Sequence, residues 1–388
     1  MRPSPRLRTI EPYPFEELDR ARARAAANGV RLLDFGVGDP REVTPSFVRD
    51  ALVEAIDPVS SYPRAAGLPE LRAAIAAWAQ RRFEVALDAE TDLIPTLGSK
   101  EIIFSVAQSV VDVEGGKDLV AVTAPGYTIP ERGARWAGAD VLRLPLREER
   151  AFLPDLEAIE DDVWRRVAVL WVNYPNNPTG AVAPQALYER LAALAREHDF
   201  LLASDEAYSE LYFGIDPPGS ALAVGDLSNV LVVNTLSKRS SMTGYRSGFV
   251  AGDRDLIAGL KALRPSTGVT PQEFVQRASV AAWSDERHVE ELRAGYARKR
   301  SVFLELFERH GLDVAGSVAS LYLWVKVPGA EPSARFAARL LDAGVVVAPG
   351  SFFGPEGEGF VRMAMVPSLD DCRAAADLLG NLLTDVRT

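Results

Sequence analysis

Short, almost wholly apolar runs recur along this chain, and segments with the amphipathic spacing of helices separate them. A strand that is apolar at every position has both faces buried, which is typical of a sheet covered by helices on both sides. Strands that alternate with helices favour a mostly parallel α/β sheet. The predicted strands are Leu119–Thr123, Val141–Leu144, Val167–Val172, Phe200–Ser204, Val230–Asn234 and Gly248–Ala251.

Segments with helical periodicity lie between these strands. Late in the chain this alternation gives way to one long, charged helix. After the last predicted helix come a strand at Ser320–Val327 and a closing α+β segment. We therefore predict a large domain of residues 40–285 and a small domain of residues 1–39 and 286–388, which includes an N-terminal arm. The predicted helices are Phe15–Asn28 with Gly29 as its C-cap, Leu68–Arg82, Gly98–Val113, Pro184–His198 and Trp283–His310.

Composition excludes several classes of protein. The formal net charge is −11 and no basic stripe stands out, so we expect no nucleic-acid partner. No apolar run approaches the ~20 residues that cross a bilayer, and the basic N-terminus lacks a signal peptide's apolar segment. We expect a soluble, cytoplasmic protein. The three histidines lack metal-ligand spacing, so we predict no metal site, and we expect the lone Cys372 to pack a C-terminal helix.

Residues that can carry chemistry follow the predicted strands at their carboxyl ends, where ligands bind in open α/β sheets. Asp205 and Tyr208 follow one strand, Lys238 and then Arg246 follow another, and the motif NNPTG at 176–180 follows a third. Each has an ordinary interpretation alone: a surface lysine, an aspartate in a turn or cap, a plain turn. Together they supply an amine nucleophile, an acid and an anion-binding arginine. Pyridoxal 5′-phosphate (PLP) needs these groups as its Schiff-base lysine, its ring-nitrogen partner and its phosphate cradle.

The order of these motifs resembles that of the class I/II aminotransferases of PLP fold type I. In that fold a large domain holds a mostly parallel, seven-stranded sheet, and a small α+β domain packs beside it. The resemblance runs along the whole chain and includes SYPRAAG at 61–67, GSK at 98–100 and FVRM at 360–363. Within the family the chain is most similar to bacterial succinyldiaminopimelate transaminases, through EPYPF at 11–15, YPRAAGLP at 62–69, LSKRSS at 236–241 and RSGF at 246–249.

The resemblance implies a role for each cofactor-binding residue. Lys238 would hold PLP as a Schiff base and move the proton between Cα and C4′, which requires a neutral amine. Asp205 would pair with the ring nitrogen, Tyr208 and Asn177 would bond the ring hydroxylate, and Tyr127 would stack on the ring. Tyr62 would reach the phosphate of a neighbouring subunit in a homodimer with shared sites. The phosphate ligands within the chain would be Ser99, Lys100, Thr235, Ser237 and Arg246, although Ser99 could also be a plain N-cap.

The substrate residues implied by the resemblance are Arg362 for the α-carboxylate, Asn177, and Gly38 for close backbone approach. An arginine in an apolar strand needs an anionic partner, and a structural ion pair is the alternative. A distal carboxylate would need a second cation, for which Arg41, Arg64 and Arg239 are candidates because they neighbour these motifs. The alternative, which we favour for each, is a surface or structural arginine.

We expect ping-pong transfer of an amino group from glutamate to a 2-keto acid, N-succinyl-2-amino-6-oxopimelate of lysine and diaminopimelate biosynthesis. The alternatives are an aspartate- or alanine-type aminotransferase, a PLP carbon–sulfur lyase and, least favoured, a non-catalytic regulator, which usually needs an attached DNA-binding or partner module.

Overall fold

The structure is a computed structural model, and it describes residues 1–385 apart from 3, 9, 11–14, 60 and 330. The EPYPF motif therefore lies mostly outside the described residues. In the described part the strands are β1 Leu33–Asp34, β2 Leu93–Thr96, β3 Leu119–Ala124, β4 Asp140–Pro145, β5 Val167–Asn173, β6 Leu201–Asp205, β7 Val230–Thr235, β8 Gly248–Gly252, β9 Val314–Ala315, β10 Tyr322–Lys326, β11 Val345–Val346, β12 Ala348–Pro349 and β13 Phe360–Ala364.

Helices of very different lengths cover the sheets. Within the described residues five short 3₁₀ segments also occur, at residues 148–150, 156–158, 221–223, 350–353 and 355–357. The described α-helices are α1 Pro5–Arg8, α2 Phe15–Ala27, α3 Ser46–Glu54, α4 Pro69–Phe83, α5 Lys100–Ser105, α6 Ala107–Val110, α7 Ile129–Ala137, α8 Asp161–Arg166, α9 Gln185–His198, α10 Leu236–Arg239, α11 Arg254–Thr267, α12 Glu273–Ser284, α13 Arg287–His310, α14 Ser333–Asp342 and α15 Leu369–Asp385.

The central sheet has seven strands in the order β2-β8-β7-β6-β5-β3-β4. Strand β8 runs antiparallel to β2 and β7, and the other neighbouring pairs are parallel. Every residue of β5 is buried, with Leu170 and Val172 in the core on one face and Val169 and Trp171 in the core on the other. This confirms the predicted α/β fold, because continuous apolar strands are those that helices cover on both sides.

A second, antiparallel sheet has the order β12-β13-β10-β9, and β1 pairs with β11 in a separate two-stranded sheet. These sheets share a hydrophobic core with α13, α14 and α15. Cys372 is fully buried in α15, as predicted. The domain limits at residues 40 and 285 stay a prediction. No helix in the described residues combines the length and apolarity that crossing a membrane requires.

Two predicted helices are each divided in the structure. The prediction Trp283–His310 is wrong at its start, because α12 ends at Ser284 and α13 begins at Arg287. Asp285 causes the break, since its Oδ1 accepts the backbone N–H of His288 at 2.9 Å and so starts a new helix. The prediction Gly98–Val113 is divided into α5 and α6. There the N–H of Ser109 bonds the carbonyl three residues earlier, which tightens the helical turn.

Candidate active site

A cavity of about 670 Å³ opens at the carboxyl ends of β5, β6 and β7. The ends of parallel strands meet at one edge of a sheet, so side chains distant in sequence converge there. The segment after β1 and strand β13 of the second sheet close the cavity from the other side. The sequence-predicted residues that line it are Gly38, Ser99, Lys100, Tyr127, Asn177, Asp205, Tyr208, Thr235, Ser237, Lys238, Arg246 and Arg362.

Lys238 lies on α10, the short helix that follows β7. Its Nζ donates to the carbonyl oxygen of Gly38 at 2.5 Å. Burial lowers the pKa of Lys238 to about 8, against the opposing attraction of Asp39. Three nearby cations, Arg362, Lys100 and Arg246, lower this pKa further. A much larger fraction of this amine is therefore neutral and nucleophilic at physiological pH than of an ordinary lysine, although the ammonium remains the main form.

Asp205 is the last residue of β6 and is buried at the base of the cavity. Its Oδ1 accepts the backbone N–H of Ala207 at 3.2 Å. Burial raises the pKa of this carboxyl to about 7, although the N–H of Ala207 and the charge of Lys238 both oppose the rise. No ion pair to Asp205 occurs within the described residues. A buried carboxylate in this state fits a cationic group of a ligand.

Arg362 on β13 is buried between the two sheets. Its Nη1 donates to Asn177 Oδ1 at 2.9 Å and its Nη2 donates to the carbonyl of Gly36 at 2.7 Å, whereas its Nε has no partner in the described structure. The guanidinium stacks 4.2 Å from the ring centre of Tyr322 and 4.6 Å from that of Phe353. No carboxylate pairs with it in the described residues, which disfavours the structural ion pair and favours an anionic ligand.

Tyr208 and Tyr322 form a hydroxyl pair inside the cavity, 2.9 Å apart. Burial holds the pKa of Tyr208 well above its usual value, so this hydroxyl keeps its proton and remains a donor. A Cβ on Gly38 would overlap the Tyr322 hydroxyl. Gly38 is therefore required for close packing of its backbone against Tyr322.

Hydroxyls and cations gather at the opposite end of the cavity. Ser99 is the N-cap of α5, yet its side chain makes no capping bond, which leaves the plain N-cap interpretation without support. Thr235 Oγ1 accepts the N–H of Ser237 at 3.1 Å. Arg246 donates to the carbonyls of Thr243 at 2.8 Å and Leu97 at 3.1 Å, and it is exposed. Together these groups can receive a phosphate.

Four predicted residues do not line the cavity of their own chain. Tyr62 is fully exposed, outside the cavity. Arg41 pairs with Asp34 at 3.3 Å, and Arg64 is exposed elsewhere. Arg239 is buried and structural: it bonds the carbonyl of Ala282 and pairs with Glu286 at 2.7 Å. These contacts fit the structural interpretation of Arg239 that the sequence favoured: its Nη atoms fix the end of α12, and its Nε has no partner in the described residues.

Several residues that line the cavity escaped the sequence analysis. Tyr322 lies within a predicted strand, where nothing marked it as a site residue. The aromatic wall of Phe15, Phe352 and Phe353 and the carboxylates of Glu16, Asp19 and Asp39 come from segments outside the central sheet. A search of strand ends in one sheet could not have found them. Two signals were available: Phe15 ends the EPYPF motif at 11–15, and Asp39 is adjacent to the predicted Gly38.

The comparisons decide the family. A model described as aminotransferase class I and II matches residues 30–379. The chain belongs to the class I and II aminotransferases. It is 38% identical to the LL-diaminopimelate aminotransferase of Aquifex aeolicus over 98% of each chain. A mutant aspartate aminotransferase of Thermus thermophilus superposes with a TM-score of 0.90 at 31% identity, over 98% of this chain and 100% of that one. A probable N-succinyldiaminopimelate aminotransferase, also of Thermus thermophilus, gives 0.87 at 31% identity, over 95% and 99%.

The chain is thus a PLP-dependent aminotransferase, as the sequence predicted, and neither the lyase nor the regulator is supported. The residues of the cavity fit the cofactor. Buried Asp205 has no ion-pair partner of its own in the described chain, the lysine amine has a depressed pKa, and hydroxyls with a nearby arginine lie at the far end. The unpaired Nε of Arg362 leaves a donor for a second anion.

Proposed function

We propose that this aminotransferase acts on an amino acid with the diaminopimelate skeleton, with glutamate and 2-oxoglutarate as the other substrate pair. The name of the Aquifex relative supports the skeleton, as does that of the second Thermus neighbour. The choice of this substrate rests on the charged side chains that line the cavity.

In this proposal the cofactor residues keep the roles implied by the resemblance. Lys238 binds the cofactor and carries the proton to and from the substrate carbon. Asp205 holds the ring nitrogen in its protonated form, and the Tyr208 hydroxyl donates to the ring oxygen together with Asn177. When bound, PLP supplies an electron sink for the charge that develops at that carbon. Tyr127 packs on the ring, and the phosphate ligands are Ser99, Lys100, Thr235, Ser237 and Arg246.

Arg362 takes the α-carboxylate of the substrate. Its bonds to Asn177 and Gly36 fix the plane of the guanidinium, so the fork is oriented before the substrate arrives. The ring of Tyr322 holds the other side of that plane. The site would bind any α-amino acid by this end, and discrimination must come from the rest of the cavity.

Besides Asp205, three carboxylates line the cavity: Glu16 and Asp19 of α2, and Asp39. Asp19 also pairs with Arg22 at 2.9 Å, so Glu16 and Asp39 are the main sources of this negative charge. The cations on the described wall are Lys100, Lys238, Arg246 and Arg362, and each already serves the cofactor or the α-carboxylate in this proposal. Both substrates carry a carboxylate at the far end. Diaminopimelate also carries a free ammonium there, whereas in the succinylated form that nitrogen is an uncharged amide and a second distal carboxylate is added. The wall charges therefore favour the free distal amine.

The N-succinylated substrate expected from the sequence is the second candidate. The name of the second Thermus neighbour and the motifs at 62–69 and 236–241 support it. Its additional carboxylate, which has no neighbouring ammonium to offset it, would require a cation beyond those on the described wall.

The test compares kcat/KM for LL-diaminopimelate, N-succinyl-LL-diaminopimelate, aspartate and alanine at one concentration of 2-oxoglutarate. We expect LL-diaminopimelate to lead by about tenfold or more, roughly 1.4 kcal/mol in transition-state binding. Asp39→Asn and Glu16→Gln should each reduce that lead, while the exposed Glu157→Gln, outside the cavity, should not. A lead for aspartate would overturn the substrate while the family assignment stands.

A further inference from the structure

Tyr322 contacts three of the residues that build the cofactor cavity. Its hydroxyl lies 2.9 Å from the hydroxyl of Tyr208, and the guanidinium of Arg362 lies over its ring, 4.2 Å from the ring centre. A Cβ on Gly38 would overlap this hydroxyl. Tyr322 lines the cavity although it is only 2% exposed. The contact with Arg362 uses the ring alone and leaves the hydroxyl unexplained.

The number of protons on the two hydroxyls decides the direction of their hydrogen bond. Each phenol has one proton to donate, so the pair can donate to only one acceptor outside itself. In the proposed function, on which this inference rests, Tyr208 donates to the ring oxygen of the cofactor. Its proton is then committed, and the contact between the hydroxyls is satisfied only when Tyr322 donates to Tyr208. Within the described part of the chain the Tyr322 hydroxyl makes no other hydrogen bond.

The backbone of Tyr322 is fixed in a way that suits this role. Its N–H donates to Ser320 Oγ at 3.2 Å, and its carbonyl oxygen accepts from Arg300 Nη1 at 3.4 Å. Across the sheet it pairs with Ala364 of β13. The rings of Tyr322 and Tyr208 meet edge to face, with their centres 5.5 Å apart. The strand therefore holds the Tyr322 hydroxyl against that of Tyr208.

The surroundings of Tyr208 keep its hydroxyl protonated. Burial raises the pKa of Tyr208 well above its usual value, Tyr322 and Asp205 raise it further, and Arg362 opposes the rise. A protonated phenol can accept one hydrogen bond while it donates another. Hydrogen bonds in such a series polarise one another, so a bond donated by Tyr322 makes Tyr208 a stronger donor.

We propose that Tyr322 is a positioning residue whose hydroxyl donates to Tyr208 and so strengthens the donation of Tyr208 to the ring oxygen of the cofactor. In PLP this oxygen is attached to the ring carbon next to the one that carries the aldehyde with which Lys238 reacts. A donor that stabilises negative charge on the oxygen weakens its attraction for the proton on Nζ. The bound Lys238 therefore loses its proton at a lower pH when Tyr322 donates.

The experiment measures the pH midpoint at which the visible absorbance of the holoenzyme changes between its two forms. This midpoint reports the proton on Lys238 Nζ and requires no turnover. We expect Tyr208→Phe to raise it by about one pH unit. We expect Tyr322→Phe to raise it by about 0.3 pH unit, because a neighbouring bond strengthens a hydrogen bond by about 10–30%. The charged groups that face Nζ stay in place in both variants: Asp39, Lys100, Asp205, Arg246 and Arg362.

Tyr174→Phe is the matched control. Tyr174 is 1% exposed, and its hydroxyl donates to the carbonyl of Phe152 at 2.6 Å, outside the cavity. This variant also loses one buried hydrogen bond, but we expect its midpoint to equal that of the wild-type protein. A shift in Tyr174→Phe as large as that in Tyr322→Phe would show a general effect of lost packing and would overturn the inference.

A double variant shows whether Tyr322 acts through Tyr208. If it does, Tyr208→Phe combined with Tyr322→Phe should have the midpoint of Tyr208→Phe alone. Fully additive shifts, or an unchanged midpoint in Tyr322→Phe while Tyr208→Phe shifts it, would overturn the inference and leave the proposed function standing. An unchanged midpoint in Tyr208→Phe would overturn the cofactor role of Tyr208 and the inference with it.

The ring of Tyr322 can be tested separately from its hydroxyl. Tyr322→Phe keeps the ring beside Arg362, so KM for glutamate should stay within about twofold of wild type. Tyr322→Leu also loses the ring and should raise KM about fivefold or more. A tenfold rise of KM in Tyr322→Phe without a shift of the midpoint would show that the hydroxyl is only structural. Circular dichroism reports folding, and should the Leu variant fail to fold, Tyr322→Phe and the double variant decide the question.

Discussion

The Nζ atom of Lys238 lies 2.5 Å from the carbonyl oxygen of Gly38, which is 200 residues earlier in the chain. This contact joins α10, which lies at the carboxyl end of β7, to the segment that follows β1. The carbonyl can accept from the ammonium or from a neutral amine. The lysine is thus held in the cavity in either protonation state.

Replacement of Lys238 by alanine removes the amine that would bind the cofactor. We expect Lys238→Ala to lower turnover by about 10⁴-fold and to abolish the visible absorbance of the purified protein. The exposed Lys326→Ala, which lies outside the cavity, should change neither. An active alanine variant with an unchanged spectrum would refute the assignment of Lys238.

The depressed pKa of Lys238 has a kinetic consequence in the cofactor-free enzyme. Only the neutral amine can attack the aldehyde of PLP, so the rate of covalent capture should rise with pH through about 8 and then level off. With an unperturbed lysine, the rate of capture would keep rising until the pH approached 10.5. Stopped-flow absorbance at constant PLP distinguishes the two profiles, and no plateau below pH 9 would contradict the assigned pKa.

Asp205→Asn separates the charge of this residue from its shape. We expect turnover to fall about 100-fold or more, since nothing would then hold the ring nitrogen protonated. The pKa of Asp205 is raised, so its protonated form stabilises the fold at low pH and that stability is lost as pH rises toward 7. At pH 8 the cofactor-free Asn variant should therefore have a higher melting temperature than the wild-type protein. At pH 4 the two melting temperatures should be nearly equal. Equal melting temperatures at pH 8 would argue against a buried, strained carboxylate.

Arg362→Lys keeps the positive charge but removes the planar fork. We expect kcat/KM for glutamate to fall roughly 100-fold, because a lysine cannot keep the bonds to Asn177 and Gly36 while it binds a carboxylate at two points. Arg373→Lys, at an exposed position outside the cavity, is the control. Single-turnover rates with glutamate measure the effect, and near-wild-type values in Arg362→Lys would exclude a two-point contact.

Tyr62 permits a test of the predicted homodimer with shared sites. Tyr62→Phe should weaken cofactor binding, and Lys238→Ala should be inactive. If each site combines Lys238 of one chain with Tyr62 of the other, a mixed dimer has one site with both native residues. Mixing the variants at limiting PLP should then restore part of the activity. No recovery after verified subunit exchange, or light scattering that shows an active monomer, would contradict the prediction.

The central sheet and the residues at its strand ends could be predicted because both depend on local pattern. Continuous apolar runs such as Val167–Val172 identify buried strands, and the polar residue that follows each strand is fixed at the sheet edge. The sequence therefore identified Asp205 and Lys238 through simple rules. The assignment of Arg362 depended on the family resemblance, and the structure places its guanidinium in the same cavity.

Contacts between distant segments could not be predicted in this way. Tyr322 enters the cavity because β10 pairs with β13, and that pairing joins residues far apart in sequence. The side-chain hydrogen bonds of His288 to Ser240 and to Asp285 likewise depend on the break between α12 and α13, where the sequence pattern predicted one continuous helix. Side-chain competition for a backbone N–H, as at Asp285, is invisible to hydrophobic periodicity.

Antiparallel β8 determines how the chain can be re-engineered around Lys238. Thr235, the last residue of β7, and Gly248, the first of β8, are direct partners across the sheet. The segment of residues 236–247 thus begins and ends beside the same pair of facing residues, and it contains both Lys238 and Arg246. A helix that connects two parallel strands can accommodate an inserted residue by shifting along the sheet. A segment whose two ends are fixed by one pair of facing residues cannot shift in this way. New termini, tags or inserted domains would be tolerated far better elsewhere on the surface than in this loop, where one added residue would displace the amine and the guanidinium together.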